Sequence, residues 1–187
     1  VNFLNNFKLD VEYYIPDRFL DGYGADKLLI DKLISKNKPQ LIILLDCGTN
    51  SYEAINYIRK CNINSIIIDH HNVQKPFPES DVFINPKKNF KNDYMSYLCS
   101  ASLTFYFLDF FIKKNNLKIS FNKYLIFVLI AIVADIMPLR GLNRIVAINV
   151  LQKFKLNDNF VIQELSKFLK IKKKIDIDDL AYLFAPV

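Results

Sequence analysis

From Leu41 to Leu45 the chain runs through leucine and isoleucine without a polar break, and from Ile63 to Ile68 it does so again around Asn64-Ser65. Short apolar runs bounded by polar turns predict buried strands, and the unbroken run at 41–45 predicts a strand covered on both faces. Between them, Ala54, Ile55 and Ile58 recur at helical spacing, which predicts a helix over 51–61 with those side chains inward. An earlier helix is predicted over 25–35, where Leu28, Leu29 and Ile34 share the period, Asp26 lies near the start and Lys36 follows the last turn. The β-formers of 9–15 predict one more strand, ended by Pro16 and a turn through Asp21-Gly22-Tyr23-Gly24. A short strand over 81–84 completes the first half, before Asn85-Pro86. Strand and helix alternating at this spacing predict right-handed βαβ units and a parallel sheet.

After Pro86 the period changes. Helices are predicted over 96–114, 122–136, 143–154 and 158–169, with a last short one over 176–183. Asn143 or the residues before it is the expected cap of the third, and Asp158 that of the fourth. No internal repeat or low-complexity linker divides the chain. The expected architecture is therefore α/β: a parallel sheet with helices on both faces and a helical C-terminal half. Residues 1–86 form the sheet part and 87–187 the mainly helical part of one domain.

Composition narrows the classes. With 187 residues, 51% hydrophobic and 24% charged, the chain can bury a core and is not of a disordered type. The apolar run from Leu125 to Ala134 falls well short of the ~20 residues of a membrane span, so no membrane partner is expected. Three cysteines (Cys47, Cys61, Cys99) form no CxxC pair, which favours a reducing, cytoplasmic setting over a disulfide framework. The formal charge of +6 is compatible with a polyanion, but much of it sits between Lys167 and Lys174, which a solvated helix end would also explain.

Candidate chemistry collects at the predicted strand ends. The only two histidines, His70 and His71, stand together behind Asp69, where the second strand finishes. Asp46 closes the first strand in the same way, and ligands of parallel sheets gather at that edge. In one sheet these groups lie within one or two inter-strand spacings of ~4.8 Å, a separation that suits a shared divalent ion. A polar turn, or for Asp46 a helix cap, is the plainer reading of each residue alone. Gly48 allows close backbone approach of a phosphate to the helix start near Ser51. Asp135 ends an apolar helix ahead of Pro138, where the macrodipole disfavours an acid unless a cation, or Arg140 or Arg144, offsets it. Arg144 is either a bidentate phosphate contact or a surface arginine. Mixed Asp/His ligands without cysteine suit Mn²⁺ better than Ca²⁺ or structural zinc.

Asp69-His70-His71-Asn72, Leu45-Asp46-Cys47-Gly48 and Ala134-Asp135-Ile136-Met137-Pro138-Leu139 with Asn143-Arg144 together resemble the DHH phosphoesterase superfamily. Tyr13-Tyr14-Ile15-Pro16 with Arg18-Phe19, Gly22-Tyr23-Gly24 and Asn85-Pro86-Lys87 is similar to its RecJ branch, the single-stranded-DNA-specific exonucleases. The resemblance implies a two-metal phosphodiester hydrolase using Mn²⁺ or Mg²⁺, degrading single-stranded DNA from 5′ to 3′ in repair and recombination. By motif, it implies Asp46 bridging the metals, His70 and Asp135 completing the second metal's shell, Asp69 supporting the cluster and His71 contacting the scissile phosphate. Gly48, Asn143 and Arg144 fall in its phosphate-binding set. Against the family pattern the chain is expected to be incomplete at both ends. The aspartate-rich first motif is expected before Val1, and the closing motif is only begun at Leu183-Phe184-Ala185-Pro186-Val187. Asp10, Asp17 and Asp21 do not reproduce the spacing of that first motif. Without that first motif the piece alone is expected to be weak or inactive, and the missing parts of the same enzyme are therefore expected partners. The alternatives are a non-catalytic product of a split or decaying gene, or another superfamily phosphodiesterase acting on small oligonucleotides or cyclic dinucleotides.

Overall fold

A computed structural model describes residues 2–22, 24–88, 94–171 and 174–186. Tyr23 of the predicted glycine turn, and Lys172 and Lys173 of the basic stretch, lie outside the described residues.

After a short α1 (Asn2–Asn5), the chain forms α2 (Lys27–Asn37), β1 (Leu41–Leu45), α3 (Tyr52–Lys60), β2 (Asn64–Ile68) and β3 (Val82–Ile84). The strands make one parallel sheet in the order β1-β2-β3. Asp26 caps α2 by accepting from the Leu29 N–H. Alternation along the strands divides the packing. Leu44 and Ile67 face Ala54, Ile55 and Ile58 of α3 and Ile30 of α2. Ile66, Ile68 and Ile84 face the other way, against Leu98 and Leu103. Leu103 belongs to α4 (Ser100–Lys114), so helices cover both faces of β2, as the pattern predicts.

β1 departs from its expected cover. Leu41, Ile43 and Leu45 are exposed, because β1 is the edge of the described sheet and α4, on that face, packs over β2 and leaves the alternate set of β1 largely uncovered. The predicted strand at 9–15 is also absent. Its backbone is irregular and Leu9, Tyr13 and Ile15 are exposed, since β-formers make a strand only when a neighbour accepts the ladder bonds. Asp17 and Asp21 serve this segment locally. Asp17 accepts from the Phe19 and Leu20 N–H groups, and Asp21 accepts from the Asp17 N–H and the Tyr14 hydroxyl.

The helical half is α4, α5 (Leu125–Ala134), α6 (Gly141–Lys153) and α7 (Phe160–Phe168), closed by a turn at Ile177–Asp179 and a π-helical stretch at Leu180–Phe184. α5 is apolar on every side and accordingly sits at the centre. Ile126, Leu129 and Ile132 pack against Val146, Ala147, Val150, Ile162, Leu180 and Phe184. One cap differs from expectation. Asn159, not Asp158, caps α7 by accepting from the Ile162 N–H, while Asp158 accepts from the Lys155 N–H one turn earlier. The cap position of α6 is Arg140, among the residues before Asn143 as expected, and Asn143 itself lies inside the helix. No helix among the described residues is long and apolar enough to cross a membrane.

Candidate active site

Strand register assembles the site. Leu45, Ile68 and Ile84 lie in one row across the sheet, so the next residues, Asp46, Asp69 and Asn85, emerge together at its carboxyl edge. The Asp46 N–H still donates to Ile68 O at 3.0 Å and the Asp69 N–H to Ile84 O at 3.0 Å. Beyond that bond Asp46 turns into the left-handed region at φ +59°, which an aspartate tolerates better than most residues but which still carries strain.

Asp69 is the hub of the site, with 1% of its surface exposed. One carboxylate oxygen accepts from the Thr49 N–H at 3.0 Å, and the other accepts from the His70 N–H at 2.7 Å and the His71 N–H at 3.3 Å. That second oxygen also lies 2.7 Å from His71 Nδ1. A carboxylate only accepts, so Nδ1 carries the proton and Nε2 presents its lone pair outward. Burial pushes the Asp69 carboxyl up, but the hydrogen bonds from Thr49 and His71 outweigh it and hold the group below the usual range.

His70 joins the remaining acids. Its Nε2 lies 3.3 Å from Asp46 Oδ1 and 3.9 Å from Asp135 Oδ2. The hydrogen bond to Asp46 raises the His70 pKa, against burial and the nearby Lys87 charge, and the same contact lowers that of Asp46. Asp135 moves the other way: burial and the Asp46 charge raise it more than His70 lowers it. Metal-ligating atoms of Asp46, His70 and His71 fall within 4.8 Å of one another. His70 Nδ1 is buried without a partner, so the ring's polar interactions are confined to its Nε2 edge. Carboxylates around an imidazole nitrogen, without thiolates, form a donor set that fits a divalent cation of the Mn²⁺ kind.

The structure therefore brings together Asp46, Asp69, His70, His71 and Asp135 from three separate stretches of sequence. Asp135 makes its ion pair with His70, not with Arg140 or Arg144. Arg144 is exposed on α6. Asn143 is corrected: it is 1% exposed, and its amide nitrogen donates to Tyr97 O at 2.8 Å and Pro138 O at 3.1 Å. It ties the loop after Asp135 to the turn before α4 and has no side-chain N–H left for a phosphate. Gly48 is corrected in its reason. At φ +105° an added Cβ would meet Ile67 Cγ2 at 3.1 Å, so the close approach that demands glycine is to the sheet rather than to a ligand.

Two contributors, Asn85 and Thr49, carry no chemical signal of their own in the sequence. Asn85 donates to Thr49 Oγ1 and to His71 O, each at 3.0 Å, and accepts from the Lys87 N–H at 2.9 Å. It fastens the His71 turn to the loop after β1. The available signals were its place directly after a strand, which Asp46 and Asp69 share, and the Asn85-Pro86-Lys87 motif. A cleft of about 610 Å³ adjoins His71, lined by Asp46, Gly48, Thr49 and Asp69 and by the N-terminal ends of α2 and α3.

The α5 terminus carries a cost. The Met137 N–H donates to Ile132 O at 2.9 Å, a Schellman closure that places Ile136 at φ +53°. Ile136 is 89% exposed, so no packing compensates a β-branched residue in the left-handed region. Ile136→Gly is expected to stabilise the chain by about 0.5–1 kcal/mol, after the entropy of glycine in the unfolded state is subtracted. A thermal melt should rise by about 1–4 °C, and an unchanged or lower midpoint would refute the strain.

Residues 1–132 match the family model described as DHH family, N-terminal domain. The chain belongs to the DHH family. Among curated DHH relatives, the single-stranded-DNA-specific exonuclease RecJ of Haemophilus influenzae (strain Rd) is 27% identical over 154 residues, covering 78% of this chain and 27% of the relative. RecJ of Escherichia coli (strain K12) is 28% identical over 146 residues, 73% of this chain and 25% of the relative. The chain thus spans about a quarter of the length of these relatives. Among solved structures, exonuclease RecJ bound to manganese superposes with a TM-score of 0.85 at 21% identity, over 100% of this chain and 46% of that one. RecJ of Thermus thermophilus in complex with Mn²⁺ gives 0.79 at 20% identity, over 100% of this chain and 26% of that one. At these identities the superpositions speak for the DHH fold.

Proposed function

We propose that this chain is part of the catalytic domain of a metal-dependent phosphodiesterase, a RecJ-type exonuclease that degrades single-stranded DNA from the 5′ end in repair and recombination. The observation that carries the reading is the convergence of Asp46, His70 and Asp135, with His70 Nε2 between the two carboxylates. Relatives named as single-stranded-DNA-specific exonucleases, and solved neighbours holding Mn²⁺, support the substrate and the metal.

Asp46, His70 and Asp135 are the proposed metal ligands. A bound divalent cation there would neutralise phosphate charge and lower the pKa of the attacking water. Asp69 holds His71 by Nδ1 and turns its Nε2 edge toward the cleft, where the ring would contact the scissile phosphate. Arg144 is the outer phosphate contact of the proposal, and the backbone at Gly48 approaches the same cleft. Residues 1–86 and 87–187 act in it as one domain, since His70 comes from the first part and Asp135 from the second.

The test is release of nucleotides from 5′-labelled single-stranded DNA with Mn²⁺, comparing the chain with its His70→Ala variant. Release that the substitution abolishes is the expected result, by the chain alone or once the aspartate-rich segment expected before Val1 is supplied. Cleavage that survives it would remove His70 from the site. Dinucleotide and cyclic-dinucleotide substrates in the same assay separate a RecJ-type activity from the other phosphodiesterases of the family.

A further inference from the structure

The crossover from β2 to β3 carries its charge unevenly. It runs from His71, at the carboxyl edge of the sheet, back to the amino edge where β3 begins. Its acids stand at the far end and are engaged there. Glu79 pairs with Arg59 in the last turn of α3, and Asp81 accepts from the Ser65 N–H at 2.7 Å. Lysine stands at the near end. Lys75 is exposed, and its Nζ lies 6.0 Å from the centre of the half-buried Phe77 ring. Lys88 Nζ lies 5.0 Å from the same ring and 5.1 Å from that of Phe83. The two rings meet edge to face at 5.9 Å. Neither lysine pairs with a carboxylate among the described residues.

Both lysines belong to segments fastened to the cleft. The carbonyl of Gln74, next to Lys75, accepts from the Tyr52 hydroxyl at 3.2 Å, and Tyr52 lines the cleft. The Lys88 N–H donates to Asn85 O at 3.1 Å, closing a turn on the residue whose amide nitrogen donates to His71 O. Phe83 pairs in register with Ile67 and packs with it, on the side of the sheet where α2 and α3 open onto the cleft. Two ammonium groups gathered at one ring repel each other, and the ring quadrupole offsets that only in part. An anion beside them would remove the repulsion.

We propose that Lys75 and Lys88, gathered at Phe77, form a phosphate subsite for the backbone of a single-stranded nucleic acid whose scissile phosphate lies at His71. The assignment rests on the phosphodiesterase reading above. A lysine ammonium is a compact point charge suited to phosphate, and such contacts hold a strand without reading its bases. The subsite therefore acts on affinity and its salt dependence rather than on base preference. Lysines that merely decorate a loop predict something different: their removal would leave both quantities as they were. Lys36 and Lys60 supply the control. They are exposed in the last turns of α2 and α3, which lead into the amino ends of β1 and β2, at the opposite edge of the sheet.

The experiment is fluorescence anisotropy of a labelled single-stranded oligothymidylate of about 12 nucleotides, in chelator so that nothing is cleaved, over a series of salt concentrations. The proteins are the wild type, Lys75→Gln/Lys88→Gln, Lys75→Arg/Lys88→Arg and Lys36→Gln/Lys60→Gln. The Lys75→Gln/Lys88→Gln pair is expected to weaken binding by about 10-fold at low salt. It should also flatten the slope of log affinity against log salt by about 1.4, from about 0.7 for each phosphate contact on a single strand. The arginine pair keeps the wild-type affinity and slope, and so does Lys36→Gln/Lys60→Gln. An unmoved slope in Lys75→Gln/Lys88→Gln would overturn the assignment, as would an equal loss in the control pair or no strand binding by the wild type. Loss of oligoglutamate binding in that variant, with strand binding intact, would give the surface to an acidic protein and overturn it too. Because the titration contains no metal, its outcome is separate from that of the cleavage assay. Cleavage surviving His70→Ala removes the proposed site, whereas an unmoved salt slope removes only the subsite.

Discussion

Asp69→Ala is expected to be the most damaging single substitution in this chain, costing about 3–5 kcal/mol, since several donors lose their acceptor at about 1–3 kcal/mol for each that is left buried. The carboxylate accepts from Thr49 N–H, His70 N–H, His71 N–H and His71 Nδ1 while 1% exposed, so alanine strands several donors away from water. A denaturant melt measures the loss, and a cost below about 1 kcal/mol, the level of an ordinary surface change, would mean the network does not carry the turn. The pH dependence follows from the direction of the shift. The folded pKa of Asp69 is depressed, so its stabilisation is present above the unfolded value of about 3.9 and is lost as pH falls through the lower folded value. Asp69→Asn should therefore flatten the acid limb of the stability curve, and an acid limb equal to the wild type's would contradict the assignment.

Asp46→Asn is expected to do the reverse: little harm to the fold and a large loss at the site. Asparagine tolerates the φ of +59° and keeps the shape, while the side chain is too exposed for its pairing with His70 to weigh much in stability. The negative charge that would face a cation is gone. Partners behind metal ligands already cost about 10–100-fold when removed, so loss of a direct ligand should weaken Mn²⁺ binding by at least about 100-fold. Calorimetric titration reads the affinity, and the melting midpoint in chelator should stay near the wild type's. Affinity within a few-fold of the wild type would take Asp46 out of the metal site.

These two aspartates are expected to respond in opposite ways although each directly follows an apolar strand. The sequence alone placed them correctly at the sheet's carboxyl edge, because strand period and polar boundaries are local signals and parallel register follows from alternating helices. The same local signals determined α3 with Ala54, Ile55 and Ile58 inward, the apolar α5, and the pairing of His70 with His71 behind Asp69. Family membership was legible for that reason: its motifs are contiguous.

What the tertiary structure decided are quantities that depend on what lies across a contact. Residues 9–15 have strand composition but no neighbouring strand, so they are irregular. β1 has a fully apolar run yet exposes one face, because cover is a property of the layer above it. Asn143 read as a cap or phosphate contact, but its amide is consumed by carbonyls at Tyr97 and Pro138, far apart in sequence. Thr49 is an ordinary polar residue in the sequence, and Asn85 shows there only as part of a motif, without its partners. They are drawn together only because β3 delivers Asn85 between Thr49 and the His71 carbonyl. Periodicity records which side of an element is apolar, whereas a hydrogen bond between distant segments exists only once those segments have packed.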